Sequence, residues 1–198
     1  GIKMHVTDKG SPFRHIYGGN GDDVLKAVVE DSVMHAFGGD DTVYGSKGSD
    51  AIYGNEGNDT IYAGSGNDFV FGGSDNDVIY GEDGNDIIYG DEGDDVLDGD
   101  SGNDTLDGGT GNDTYVFGRN YGTDIIEDYD GNNKVVLSGI DPNEVTFAKT
   151  NQSELTVSIN GCEDKLTIRN FNSESFTFEF AGGVSGTVNA ETAEFTEI

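Results

Sequence analysis

The stretch GSGNDFVFGGSDNDVIYGEDGNDIIYG, Gly64 to Gly90, returns a glycine and an aspartate on a nine-residue beat. Outward from it, the beat runs without a gap from Gly18 to Val116, eleven nonapeptides in one register. The sixth place holds Asp23, Asp41, Asp50, Asp59, Asp68, Asp77, Asp86, Asp95, Asp104 and Asp113, with Ser32 the one exception. The eighth place is always apolar or aromatic, from Leu25, Met34 and Val43 through to Leu97, Leu106 and Tyr115. Glycine fills the fourth place at Gly21, Gly39, Gly48, Gly57, Gly66, Gly84, Gly93, Gly102 and Gly111, leaving Glu30 and Asp75 as departures. The second unit, AVVEDSVMH, keeps its length while losing both the glycine and the aspartate.

Each place has a physical reading. Glycines at the first, second and fourth places let the backbone take angles that other residues avoid and turn its carbonyls inward. A three-residue strand is expected at places seven to nine, with the eighth side chain on one face and its neighbours on the other. Two units then make one coil of a flattened parallel solenoid, and each unit stacks about 4.8 Å from the unit two further on. That brings the sixth-place carboxylates of stacked coils together. Without a counter-charge each such pair opposes folding by about 1 kcal/mol at 4 Å in water, and by more where solvent is excluded. A calcium ion prefers six to eight oxygen ligands, which paired carboxylates and turn carbonyls can supply. The aspartate beat therefore reads as a ladder of calcium sites, with further ligands from carbonyls near Gly39, Gly48, Gly57, Gly66, Gly84, Gly93, Gly102 and Gly111. One edge pairs Asp23, Asp41, Asp59, Asp77, Asp95 and Asp113 in series, and the other Asp50, Asp68, Asp86 and Asp104, which gives about eight sites at one per stacked pair. Ser32 interrupts the second edge near its start.

Composition agrees. Only 33% of the 198 residues are hydrophobic, 32 are glycine, and the formal charge is −29. From Gly18 to Val116 there are 24 acidic residues against Lys26 and Lys47, and no arginine. Such a field repels nucleic acid, whose binding requires Lys and Arg, and favours a cation as partner. A lone cysteine, Cys162, excludes an intrachain disulfide and argues against a thiolate metal site. No run approaches the ~20 apolar residues of a membrane helix, and the start GIKMHV lacks a signal-peptide pattern. It reads as a piece of a longer polypeptide.

YGGNGDDVL, YGNEGNDTI, YGEDGNDII and LDGGTGNDTYVF closely match the pattern G-G-x-G-x-D-x-U-x, with U a large apolar residue. The chain thereby resembles the RTX (repeats-in-toxin, haemolysin-type calcium-binding) family. That resemblance implies an all-β, right-handed parallel β-roll that folds on extracellular calcium, in bacterial proteins exported unfolded by a type I secretion machinery. DTYVFGRNYGTDIIEDYDG is similar to the segment after the last repeats of large RTX cytolysins and adenylate-cyclase-type toxins. By the same resemblance, export information would lie within Ala181 to Ile198, and a host-cell surface is a further partner. A distal ligand-binding segment of an RTX adhesin is the alternative reading. A monomer is expected.

Three segments follow: residues 1–17 as flank and leading strand, 18–116 as the roll, and 117–198 as a β-rich cap associated with secretion. His15, Ile16 and Tyr17 fit places seven to nine of a preceding unit. After Val116 the beat fails, although YGTDII resembles a turn and strand with two residues inserted. NKVVL, VTFA, ELTVSI, KLTIRN and FTFEF alternate as strands, Asn160 and Gly161 suit a hairpin turn, and Asp141 with Glu144 suits a capped helical turn. Phe147, Phe171, Phe176, Phe178 and Phe180 would cover the open end of the roll, as solenoids require.

Other chemistries fit less well. Tyr44, Tyr62 and Tyr80, and Tyr53, Phe71 and Tyr89, form outward rows that read as cross-strand stacking rather than a sugar- or partner-binding surface. The third place carries no regular threonine row, which argues against an ice-binding face. His5, His15 and His35 lack a nucleophile or acidic partner in a recognisable motif, so catalysis within this piece is not expected. The EF-hand loop pattern with its flanking helices is absent.

Overall fold

The computed structural model describes residues 5–6, 14–28, 30–151, 153–171 and 175–198. The expectations for residues 1–4 and 7–13 lie outside the described residues. Successive units alternate between two sheets, so that a strand in one sheet pairs in parallel with the strand eighteen residues later: Ile52 with Val70, Ile61 with Ile79, Ile88 with Leu106. The period of nine with a bend after each strand leaves the chain no other neighbour. The eighth-place side chains from Leu25 to Tyr115 all point between the sheets and are at most 1% exposed. Each such aliphatic contributes about 1.5–3 kcal/mol by leaving water, and together they form a single-file core one side chain wide.

The strands are longer than the three residues expected. Ala51–Glu56, Thr60–Ser65, Phe69–Ser74, Val78–Asp83 and Ile87–Glu92 each run six residues, through places seven to nine and on to the third place of the next unit. Pairing skips the first place and resumes at the second, as in Tyr53 with Phe71 followed by Asn55 with Gly73. The second place bends the chain with φ of 81° at Asn55 and 77° at Asp91, while its amide and carbonyl still meet the stacked coil. Backbone hydrogen bonding thus covers most of each unit.

Both ends of the roll extend beyond the nonapeptides. Arg14–Asn20 pairs in parallel with Ser32–Gly38, as the HIY segment led us to expect, and His5–Val6 pairs antiparallel outside it. Past Val116 the stack continues with a twenty-residue step. Thr123–Ile126 adds to Thr105–Thr110, Asn133–Leu137 adds to Thr114–Phe117, and Lys165–Arg169 and Phe176–Glu179 add one more parallel strand to each sheet. Then both sheets change sense. Glu154–Ile159 and Val145–Asn151 complete the first antiparallel, and Ser185–Val188 and Phe195–Glu197 complete the second. Residues 181–198 accordingly contain two paired strands.

The single-file aliphatic core gives way there to aromatic packing. Phe147 meets Phe178 edge-on at 5.1 Å, Phe180 meets Phe195 at 5.1 Å, and Phe171, Phe176, Phe178 and Phe180 are buried. Pro142–Glu144 forms the short helical turn, with the Asp141 N–H donating to Glu144 Oε2 at 3.1 Å. The connection after Ile159 is five residues long, not a tight two-residue turn. Its extra length brings the Asp164 carboxylate under the N–H groups of Asn120 (2.9 Å) and Gly122 (3.0 Å), which fastens the cap to the roll. Truncating Phe178 to alanine opens a cavity beside the rings of Phe147 and Phe171 and should cost about 3–5 kcal/mol. Urea denaturation in calcium-containing buffer will show this as a lower midpoint.

Candidate metal centre

The turn between strands fixes the sixth-place aspartates. Each donates its main-chain N–H to Oδ1 of the aspartate one coil further on. The bonds are Asp41 to Asp59 (2.8 Å), Asp59 to Asp77 (2.7 Å), Asp77 to Asp95 (2.7 Å) and Asp95 to Asp113 (2.8 Å) along one edge. Asp50 to Asp68 (2.7 Å), Asp68 to Asp86 (2.8 Å) and Asp86 to Asp104 (2.8 Å) form the other. Asp23 joins the first edge through Asp41 at 2.6 Å, and Ser32 donates its N–H to Asp50 at 2.5 Å. The structure therefore brings all ten aspartates into two rows, in the serial order read from the sequence. Oδ2 is a different matter. In Asp41, Asp59, Asp68, Asp77, Asp86, Asp95, Asp104 and Asp113 it is buried and has no hydrogen-bond partner. A buried carboxylate oxygen without a partner is costly, and eight in register point to a ligand.

At four of the orphan oxygens a first-place glycine and a main-chain carbonyl border Oδ2. A β-carbon on Gly81 would stand 2.5 Å from Asp86 Oδ2 and 2.7 Å from the Gly99 carbonyl, and one on Gly54, Gly72 or Gly90 would collide with the equivalent pair. First-place glycines are needed here for room; none of these four has a positive φ. The fourth-place glycines serve the turn itself: Gly39, Gly57, Gly66, Gly84, Gly93 and Gly111 have φ between 112° and 145°, while Gly48 and Gly102 do not enter that region. Their carbonyls stack turn upon turn, so that Gly84 lies against the Gly66 carbonyl and Gly102 against that of Gly84. Among the described residues no three His, Cys, Asp or Glu side chains converge as a cage. A cation held here must draw on main-chain oxygens, which suits a hard ion such as calcium.

Electrostatics tells the same story. Burial drives the carboxyls upward, only partly offset by the N–H bond each receives, and the neighbouring aspartates add to the rise. Asp77, Asp86 and Asp104 are raised to about 8, Asp59 and Asp113 to about 7, and Asp41, Asp68 and Asp95 to about 6.

Several contributors were not singled out from the sequence. The fifth place is Asp, Asn or Ser in every unit, and its side-chain oxygen accepts the N–H of the fifth place one coil on: Asp40 from Asn58, Asn58 from Asn76, Asn67 from Asn85. Its signal was in plain view, a second invariant beside the aspartate. Ser46 donates N–H and hydroxyl to Asp50 Oδ2 at 2.6 and 2.9 Å, filling the oxygen left open elsewhere. The rows also outlast the repeats, with Asp104 donating its N–H to Asp124 Oδ1 (3.0 Å) and Asp113 to Asn133 Oδ1 (2.8 Å). Outside the sheets, Tyr44, Tyr62 and Tyr80 stack at 5.0–5.1 Å, and His35, Tyr53, Phe71 and Tyr89 at 4.6–5.1 Å, with interplanar angles of at most 10°. Interior rings of each row cover one another's faces.

The sequence profile of the RTX calcium-binding nonapeptide repeat matches in four copies, over residues 15–31, 35–70, 63–97 and 80–115. No curated protein sequence matches the chain. Among solved structures, the extracellular lipase LipA from Serratia marcescens is similar over 75% of this chain, at 15% identity and a TM-score of 0.34. The chain spans 39% of the length of that lipase chain.

A pH dependence follows for the metal-free protein. Carboxyls that titrate near 6–8 when folded and near 3.9 when unfolded make the folded form bind more protons across that window, so its stability rises as pH falls through it. After removal of divalent cations, far-ultraviolet circular dichroism should show more β-structure at pH 5 than at pH 8, and the gain should reverse on titrating back.

Proposed function

This chain belongs to the RTX calcium-binding nonapeptide repeat family, and on that premise we propose that it is the calcium-responsive folding module of a larger, toxin-like secreted bacterial protein. The module stays unfolded where calcium is scarce, passes through a type I secretion machinery in that state, and folds on extracellular calcium. One observation carries the reading: eight buried carboxylate oxygens of the repeat, each without a hydrogen-bond partner, stand in two rows, and those of Asp59, Asp77, Asp86 and Asp95 lie beside main-chain carbonyls at a first-place glycine. These eight correspond in number to the stacked pairs read from the sequence, and we assign about eight calcium ions to Asp23, Asp41, Asp50, Asp59, Asp68, Asp77, Asp86, Asp95, Asp104 and Asp113.

Linkage makes such a ladder a switch. At ten times its dissociation constant each site adds about 1.4 kcal/mol, so eight add roughly 11 kcal/mol, comparable with a whole domain's stability. At one tenth of that constant all eight supply about 0.5 kcal/mol. With affinities of extracellular modules, about 10⁻⁴ to 10⁻³ M, the two sides of a cell envelope fall on opposite sides of the transition. A far-ultraviolet circular dichroism titration tests this. A cooperative gain of β signal near millimolar calcium, not reproduced by magnesium with its stricter octahedral geometry, is the expected outcome; a chain fully folded at neutral pH in chelator would overturn the switch.

A further inference from the structure

The two rows of aspartates end differently, and the difference assigns chemistry to a residue that no nonapeptide contains. On the edge carrying Asp104, four hydrogen bonds of a repeat turn recur one coil beyond the repeats. Within the repeats, the Asp86 N–H donates to Asp104 Oδ1 (2.8 Å), Gly84 N–H to the Ser101 carbonyl (2.9 Å), Asn103 N–H to Asn85 Oδ1 (2.8 Å) and Thr105 N–H to the Asp86 carbonyl (2.9 Å). One coil on, the Asp104 N–H donates to Asp124 Oδ1 (3.0 Å), Gly102 N–H to the Tyr121 carbonyl (2.8 Å), Thr123 N–H to Asn103 Oδ1 (3.0 Å) and Ile125 N–H to the Asp104 carbonyl (2.8 Å). All four bonds survive the two-residue insertion. Asp124 is 0% exposed, and its Oδ2 has no hydrogen-bond partner, just as in Asp104.

The opposite edge is closed. There Asn133 takes the place of the next aspartate, and its Nδ2 donates to Asp128 Oδ2 (2.7 Å) and the Asp130 carbonyl (2.8 Å). The Tyr115 hydroxyl donates to the same Asp128 oxygen and accepts the Gly108 N–H at 2.7 Å. An amide donor stands where a carboxylate oxygen would be, and its hydrogen bonds are made within the protein.

We propose that Asp124 is a calcium ligand, paired with Asp104 in a ninth site, and that the edge ending at Asn133 terminates without a cation. The inference rests on the calcium reading above. Because Thr123–Ile126 also pairs with Lys165–Arg169 of the cap, the ion at Asp124 ties calcium occupancy in the roll to docking of the C-terminal strands.

Native mass spectrometry of the full chain at saturating calcium, with circular dichroism to confirm folding, counts the bound ions. The wild-type protein should carry nine rather than eight. Asp124→Asn should lose one ion. Asp104→Asn, which borders two sites, should lose two, whereas Asp113→Asn, which borders one, should lose one. Should Asp124→Asn fail to fold, the wild-type count and the contrast between Asp104→Asn and Asp113→Asn decide the matter. An unchanged count in Asp124→Asn, or equal losses at Asp104 and Asp113, would overturn the ninth site while leaving the ladder intact. A wild-type chain binding no calcium would overturn the ladder itself.

Discussion

The rest of the structure depends on a carboxylate that is satisfied at one oxygen and open at the other, repeated at every coil. Oδ1 receives the N–H of the aspartate one coil below and so sets the register of the stack, while in eight of the ten repeat aspartates Oδ2 is buried without a hydrogen-bond partner. A row of such groups at strand spacing cannot remain fully ionised without that counter-charge. From this follow the first-place glycines at Gly54, Gly72, Gly81, Gly90, Gly99 and Gly108, whose missing β-carbons leave room at the oxygen, and the scarcity of lysine and arginine, which would neutralise the row from outside. The constraint also explains why insertions are absent between Gly18 and Val116. One extra residue would turn the eighth-place side chain away from the core.

Energetically the roll is one-dimensional. Each coil touches only its neighbours, as in other solenoids, and buries one large apolar side chain per unit, so its hydrophobic term grows with length while the charge term grows in step. Aromatic stacking on the outer faces adds a second, charge-free link between coils: the Tyr44, Tyr62, Tyr80 row and its counterpart hold the same pairs of strands that the aspartates connect inside. Each ring contact is worth about 0.2–1 kcal/mol. That is too little to offset a row of buried charges and enough to favour the correct register.

Much of this was legible in the sequence because a strict period leaves few alternatives. The nine-residue beat with an apolar eighth place determines stacking between units n and n+2, and the observed pairings follow it from Leu25 with Val43 to Leu97 with Tyr115. Strand length was less accessible. Residues such as Asn55 and Asp91 adopt positive φ yet still pair, and propensity would place such residues in a turn. The reason for first-place glycine was misjudged because sequence suggests backbone freedom where the structure requires empty space. Asp124 escaped notice because two inserted residues break the period, whereas the hydrogen bonds that define a repeat turn tolerate a longer excursion between them. Where pattern is strict, residues can be assigned from text; where it lapses, the assignment belongs to three-dimensional register.

The two ends of the roll show what replaces an ion when the chain dispenses with one. Near the N-terminal end, Ser46 supplies a hydroxyl and an amide to Asp50 Oδ2, at the coil where Ser32 interrupts the row. At the C-terminal end of the other edge, Asn133, Asp128 and Tyr115 form a buried network in which Tyr115 combines an eighth-place core position with a hydroxyl long enough to reach across the coil. Both arrangements use side chains that the middle units lack at those places, while aspartate recurs at the sixth place in every unit from Asp41 to Asp113. Asp77, Asp86 and Asp104, in coils with neither arrangement, carry the most raised carboxyls, and on the edge of Asp104 the raised row continues to Asp124 at about 7. Beyond them the aromatic cap supplies apolar burial that involves no charge.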